Sequence, residues 1–520
     1  MSPTRAAAPA AGEFRAFVAR LHFYIGLLVG PFLLVAAVTG VLYVLTPQLE
    51  NVLYREVLRT ASAGPAQPLA AQAEAARVVA GPGAQLAAVR PAPAPGWTTR
   101  VLFADPRLGE SENRAIFVDP VTLAITGDMT VYGTSGILPF RTAIDQLHRT
   151  LLLGDLGRFY SELAASWLWI LALGGICLWL WRRTGQLSRQ NPANTRLRTR
   201  RLHGLLGVSV SLGLLFLSAT GLTWSRWAGG RIDGLRDVLG WNTPAVTMTL
   251  EAPGLATAAT GPEAGGDHAE HRGGDVPAAE GGAAKGTMGD MSGMDMANME
   301  MPGMAMHGDG VAQGAGTPMH RDGTAKEADA PGAEAADPVR QLDAVLAASR
   351  AAGIDSPMVE VRLPRPGRAW MVREYDRSWP TQVDTIALDP ASLRVTSRAD
   401  FATFPLVAKL IRWGVDMHMG ILFGVANQVL MAVVGLGLVG ATLYGYRIWW
   451  RNRPAPGALP RTLVQAWLRL GLPVRAAVVL VAAALGWMLP VAGGSLLLFL
   501  LIDLLRWRFS QPAARVLPAE

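Results

Sequence analysis

The sequence predicts a membrane all-α bundle: four main transmembrane helices arranged as an internal duplication, a C-terminal helical hairpin, and two external α+β modules set between the helices. Three observations predict it. First, four long runs contain no Asp, Glu, Lys or Arg, at residues 21–45, 163–181, 202–224 and 417–446. A helix of about 20 apolar residues spans a bilayer. Second, the chain repeats its own pattern at fixed offsets. Third, the stretches 182–201 and 447–475 carry seven and six arginines and no acidic residue, which marks both as cytoplasmic.

Composition supports the same class. Half of the 520 residues are hydrophobic and 17% are charged, an apolar balance for so long a soluble chain. The net charge is +7, but the arginines gather beside apolar runs, so the charge speaks for membrane orientation and not for nucleic acid. The one cysteine, Cys177, lies inside an apolar run. That excludes an internal disulfide, a Cys-x-x-Cys zinc site and covalent haem attachment. The run after Arg20 is too long for the core of a cleaved signal, so the N-terminus reads as a retained anchor.

Taken in order, residues 1–46 hold the N-terminus and helix one, which stops at Thr46-Pro47. Residues 47–147 form the first module. It has an Ala-rich helix at 69–80, strands at 97–103 and 115–119, and a turn at Val118-Asp119-Pro120. Residues 148–182 are helix two with its lead-in, and 183–202 a basic inner loop. Helix three covers 203–225. Residues 226–338 are an external linker. Its part from 251 onward is rich in Gly, Ala and acids without an apolar period, which predicts disorder. The second module, 339–415, has a helix at 339–352, strands at 358–363, 369–374 and 382–388, and a turn at Leu388-Asp389-Pro390. Helix four covers 416–447, with a basic inner loop at 448–475. Residues 476–507, interrupted by Pro490 and Gly493-Gly494, read as a two-helix hairpin, and 508–520 are a tail returned to the inside.

The repeat is the most informative property. At an offset of 181, Arg20-Leu21-His22 falls on Arg201-Leu202-His203, Gly26 on Gly207, and Thr39-Gly40 on Thr220-Gly221. At an offset of 270, His148 falls on His418, Leu151-Leu152 on Ile421-Leu422, Gly154 on Gly424, and Asp119-Pro120 on Asp389-Pro390. Trp179 and Arg183 fall on Trp449 and Arg453 at the same offset.

The eight histidines form two populations. His22, His148, His203 and His418 stand one at the mouth of each main helix. His268, His271, His307 and His320 lie in the linker. Topology puts His22 and His203 on the cytoplasmic side and His148 and His418 on the external side. Two histidines per face, from repeated helices, suit a pair of bis-histidine b-type haems, because neutral imidazole is a good axial ligand and a bundle builds cofactor sites from facing side chains. The alternatives are four interfacial histidines with structural roles, or a quinone or metal site that uses two of them. Gly435-x-Gly437-x-x-Gly440 matches a dinucleotide fingerprint by letters, but it lies inside an apolar run and not between a strand and a helix. A transporter is disfavoured because the uncharged runs hold no acid for an ion path.

The linker carries a methionine row: Met288, Met291, Met294, Met296, Met299, Met301, Met304 and Met306, then His307. Thioethers are soft ligands that select Cu(I), and imidazole accepts either copper state. The segment is Gly- and Asp-rich with no hydrophobic face to bury, which rules out a core role, and weak multi-site copper capture on the external side is the reading favoured over low-complexity drift.

These residues resemble a known family. Leu21-His22 with Gly26, Leu147-His148-Arg149 before Leu151-Leu152-Leu153-Gly154, Leu202-His203, and His418 before Leu422-Phe423-Gly424 and Gln428 resemble the PepSY-associated transmembrane proteins. That family includes iron-regulated inner-membrane proteins and haem-containing siderophore reductases. Each external module, with its Pro-Gly turn (Pro95-Gly96, Pro366-Gly367) and Asp-Pro turn, is similar to a PepSY module. The resemblance implies a multi-pass protein of the bacterial inner membrane with both termini cytoplasmic and both modules periplasmic. It implies a reductase with two haem b groups held by His22, His203, His148 and His418. Electrons would pass from a quinol or a reduced flavin or nicotinamide system to a periplasmic metal complex, a ferric siderophore or Cu(II)/Fe(III). The methionine row is not part of the family pattern and makes copper a rival to iron. The competing expectation is a non-enzymatic copper-binding or regulatory membrane protein.

Overall fold

The structure, a computed structural model, describes residues 9–183, 195–250, 337–453 and 462–509. The chain begins with helices α1 (Pro9–Leu28), α2 (Gly30–Leu53), α3 (Arg55–Leu58) and α4 (Leu69–Ala80). Strands β1 (Gln85–Arg90), β2 (Thr99–Ala104), β3 (Glu112–Val118) and β4 (Ile125–Tyr132) follow. Then come α5 (Pro139–Thr150), α6 (Gly154–Arg183), α7 (Thr195–Thr223), α8 (Trp227–Leu239) and α9 (Leu342–Ala351). Strands β5 (Val359–Arg362), β6 (Trp370–Glu374), β7 (Thr385–Leu388) and β8 (Val395–Ala399) are next. The chain closes with α10 (Leu406–His418), α11 (Val425–Arg451), α12 (Leu463–Trp467), α13 (Leu472–Met488) and α14 (Pro490–Phe509).

Among the described residues, five helices are long and apolar enough to cross a membrane: Gly30–Leu53, Gly154–Arg182, Leu197–Thr223, Val425–Arg451 and Pro490–Phe509. The shorter apolar helix α13 packs against α14. The bundle core between α1, α2, α6, α7 and α11 is apolar and mostly aliphatic, with Leu33, Trp167, Leu168, Val210, Leu214, Val434 and Leu438 buried together. Gly437 of the rejected dinucleotide fingerprint lies in α11, where a Cβ would strike Val210. A Cβ on Gly435 would stand 2.6 Å from Val41. These glycines serve close helix approach.

Helix one runs further than expected, and its two prolines explain how. Proline lacks the N–H that would bond the carbonyl four residues back. Pro31 therefore frees the Leu27 carbonyl at the α1/α2 break, and the Tyr446 hydroxyl donates to that oxygen at 2.9 Å. Pro47 frees the Tyr43 carbonyl, and the Thr46 hydroxyl donates to it at 2.6 Å. With both carbonyls satisfied the helix continues through Pro47 to Leu53. Three of the observed spans also contain an acid: α2 carries Glu50, α6 Asp155 and Glu162, and α14 Asp503. Glu162 of α6 accepts from the backbone N–H groups of Trp227 and Ala228 at 3.0 Å each and so caps α8. Asp503 of α14 accepts from Val464 N–H at 2.9 Å, at the start of α12. Both carboxylates end helices.

The strands of the two mixed segments join one eight-stranded antiparallel sheet, in the order β4-β3-β2-β1-β5-β6-β7-β8. One face is covered by α4 and α9, whose Leu69, Ala73, Ala76, Leu342 and Val345 pack on Val89, Val101, Ile116, Val361, Trp370 and Ile386. The opposite face of β1–β4 buries Ala88, Leu102, Ala115 and Phe117 against Leu58 and Leu138. The two Asp-Pro turns take one form. Asp119 accepts from Val121 N–H and Asp389 from Ala391 N–H, and Leu123 and Leu393 both have positive φ (63° and 52°). At the β1–β5 seam Ala88 pairs with Arg362 and Val89 with Val361, which sets Arg90 opposite Glu360.

Ion pairs tie the sheet to the bundle. Arg377, beyond β6, meets Asp416 of α10 at 2.6 Å, and Arg412 meets the same carboxylate at 3.1 Å. Glu50 of α2 accepts from Leu138 N–H at 3.0 Å and lies 3.8 Å from Arg141, whose guanidinium donates to Tyr43 at 3.2 Å. These contacts fix α5 and α10, the two short helices whose last turns carry His148 and His418.

Candidate functional site: two histidine pairs

His22 lies on α1 and His203 on α7, at the bundle end that carries Arg182 and Arg201. Their ring centres are 6.3 Å apart and their planes are nearly perpendicular. His22 Nδ1 stands 3.0 Å from the Leu171 carbonyl oxygen, and His203 Nδ1 stands 2.9 Å from that of Ala441. A carbonyl only accepts, so Nδ1 of each ring is the donor and Nε2 retains its lone pair. Leu171 and Ala441 correspond at the 270 offset. So do Gly175 and Gly445, where a Cβ would come 3.3 Å from His22 Cε1 and 3.5 Å from His203 Cε1.

His148 lies in the last turn of α5 and His418 ends α10, at the bundle end below the sheet. Each is followed by a tight turn, Leu151–Leu153 and Met419–Gly424, before the long helix begins. His148 Nδ1 is 2.9 Å from the hydroxyl of Thr39 on α2, and His418 Nδ1 is 2.6 Å from that of Thr220 on α7. The two threonines that hold the rings correspond at the 181 offset, which sets both rings at the same end of the bundle. Gly40 and Gly221 again adjoin the rings, with Cβ positions 3.3 Å from His148 Cε1 and 3.9 Å from His418 Cε1. His22 and Thr39 are 17 positions apart, as are His203 and Thr220. At about 1.5 Å per residue the two pairs lie on the order of 25 Å apart along the helices. The aliphatic bundle core lies between them.

All four sequence-predicted histidines thus sort into two pairs on four different helices. Four imidazoles with Nδ1 engaged and Nε2 left to bind form a donor set that suits iron held between two rings. Two imidazoles sharing one metal atom through nitrogen bonds of about 2 Å bring their ring centres to roughly 6 Å, and the 6.3 Å separation of His22 and His203 fits this. Among the described residues no group of three or more His, Cys, Asp or Glu side chains is placed to hold a bare metal ion. The predicted copper ligands Met288, Met291, Met294, Met296, Met299, Met301, Met304, Met306 and His307 lie outside the described residues.

Sequence reasoning passed over the groups that hold the rings. The Thr39-Gly40 and Thr220-Gly221 overlay was a usable signal, because a polar residue beside glycine recurs in two apolar helices. The Leu171 and Ala441 carbonyls left none, since a backbone oxygen has no letter in the sequence.

Membrane-spanning helices joined to an antiparallel sheet define an integral membrane protein. A family model for the PepSY-associated TM region matches residues 19–452, and the chain belongs to that family. No curated protein matches the chain.

Proposed function

We propose that this protein is a haem b-containing reductase of the bacterial inner membrane, which passes electrons across the bilayer to a periplasmic metal complex, a ferric siderophore or Cu(II)/Fe(III). One observation carries this reading: four histidines in two pairs at opposite ends of one bundle, each with Nδ1 engaged. His22 and His203 would hold one haem, and His148 and His418 the other. Haem bound there supplies one-electron transfer. The chain's own part is to orient the four rings, keep Nε2 unprotonated, and exclude water from the aliphatic core between the pairs. The offsets of 181 and 270 that align histidines, threonines, glycines and turns support an internal duplication. The palindromic strand order supports two PepSY modules joined at β1 and β5. The basic ends of the bundle support a cytoplasmic N-terminus, C-terminus and His22/His203 pair. The donor side would accept electrons from a quinol or a reduced flavin or nicotinamide system.

The purified protein should show a reducible b-type spectrum with two haems per chain. Absence of a Soret band and of a reducible α-band would sink the reading. A second reading, a non-enzymatic copper-binding or regulatory membrane protein, is favoured by the methionine row alone. Deleting residues 260–320 separates the two. Metal reduction that survives the deletion unchanged assigns the row to something other than electron delivery.

A further inference from the structure

The two histidine pairs differ in what holds Nδ1, and the difference is systematic. Backbone carbonyls hold His22 and His203. Threonine hydroxyls hold His148 and His418, and at His148 the Ala36 backbone adds a second hydrogen bond, so the hydroxyl dependence is cleanest at Thr220 and His418. A carbonyl has one role and no substitution removes it. A hydroxyl has one proton and both donates and accepts. Each hydroxyl has a second partner one turn back on its own helix: Thr39 donates to the Val35 carbonyl at 2.8 Å, and Thr220 to the Phe216 carbonyl at 2.8 Å. With the hydroxyl proton placed there, the histidine Nδ1 must be the donor, and Nε2 keeps its lone pair. The glycine after each threonine leaves room for the ring beside the hydroxyl. The Thr-Gly pair therefore works as one unit, and the chain uses it twice.

We propose that Thr39 and Thr220 are positioning residues that set the electron-donor strength of His148 and His418 toward a haem iron, so that the sheet-side centre is tuned by two side chains while the opposite centre is fixed by backbone. The proposal rests on the haem reading above. A hydrogen bond given by Nδ1–H shifts electron density into the ring and makes Nε2 a more basic ligand. A more basic axial ligand favours ferric over ferrous iron, and outer hydrogen bonds are one of the levers a protein has on haem potential. Removing the acceptor weakens the ligand and raises the potential. The Thr39 and Thr220 hydroxyls act on the sheet-side haem, because each bonds a ring of that pair and a carbonyl of its own helix, with Tyr160 of α6 also beside Thr39.

The test is an optically monitored redox titration of the haem-loaded full chain, comparing wild type with Thr39→Val, Thr220→Val, Thr39→Ser and Thr220→Ser. Each valine variant should raise one of two midpoint potentials and leave the other in place. A tenfold change in the ferric-to-ferrous ratio, the expected order, is a shift of about 59 mV for one electron. Each serine variant should return the wild-type value, since it restores the hydroxyl. A valine variant that sheds one haem, while its serine counterpart keeps both at wild-type potentials, shows the same dependence on the hydroxyl. Two haems with unmoved potentials in the valine variants overturn the assignment, as do serine variants that behave like valine or shifts of equal size in both haems. A wild-type protein without haem overturns the underlying reading instead, and the two failures are told apart by haem content.

Discussion

Glu360 shows how one side chain carries charge into the middle of the sheet. It is 1% exposed and meets three guanidiniums: Arg90 at 2.6 Å, Arg362 at 2.6 Å and Arg373 at 2.9 Å. Burial alone would raise its pKa. The positive charges of Arg373, Arg90 and Arg362 outweigh burial and hold the carboxyl well below its ordinary 4.5. A depressed folded-state pKa means stabilisation that is complete above the unfolded value and lost as pH falls through the folded one. Glu360→Gln should therefore lower stability at pH 7 by about 3–5 kcal/mol, because it leaves the buried Arg90 guanidinium without its counter-charge. Thermal melts in detergent should show a constant gap between wild type and variant above pH 4.5 and a narrowing gap below it. A gap independent of pH would show that Glu360 acts through packing. Arg90 and Glu360 are also equivalent positions at the 270 offset, and they face each other where the two halves of the sheet meet. Opposite charges therefore meet at this seam, where the low-dielectric surroundings strengthen their attraction. The four histidines were legible in the sequence because imidazole at a helix mouth is rare in an apolar chain. Their partners were not, since carbonyls and a threonine in an apolar helix look like ordinary helix.

At the scale of elements, helices were easier to read than the joints between them. The Ala-rich helix at 69–80 was placed to the residue, and the strand segments at 358–363 and 369–374 to within a residue or so at each end. Strands β1, β4 and β8 were missed. β1 reads as a continuation of the alanine-rich stretch, β4 carries a glycine, and β8 is exposed on a sheet edge and lacks an apolar alternation. Helix α8 was missed because its lead-in is fixed by Glu162, a contact with α6 that local pattern does not contain. The joint at Pro31 allows a direct test. The Tyr446 hydroxyl donates to the Leu27 carbonyl that Pro31 frees, and a Cβ on Gly30 would come 2.7 Å from that hydroxyl. Tyr446→Phe should cost about 1–3 kcal/mol, the price of leaving a buried acceptor unpaired. It should lower the melting temperature without changing haem content, since no histidine bonds to Tyr446. Loss of the His22/His203 haem in this variant would instead mean that the α1/α2 break positions His22.

At the scale of the whole molecule, the bundle and the sheet divide the work. Four helices present two ring pairs at opposite ends, and an eight-stranded sheet is pinned over one end by Arg377–Asp416 and Glu50–Arg141. The sequence placed the mixed segments on one side of the membrane but not in one sheet, because antiparallel pairing of β1 with β5 joins residues some 270 positions apart and leaves no local trace. The reductase account needs both ends loaded and independent. Haem quantification with a reduced-minus-oxidised visible spectrum on wild type, His22→Ala and His148→Ala tests this most directly. The account predicts two b-type haems in wild type and one in each variant, with the two variants keeping spectroscopically different haems. A wild-type protein free of haem, or a single substitution that removes both haems while the protein remains folded, would contradict it.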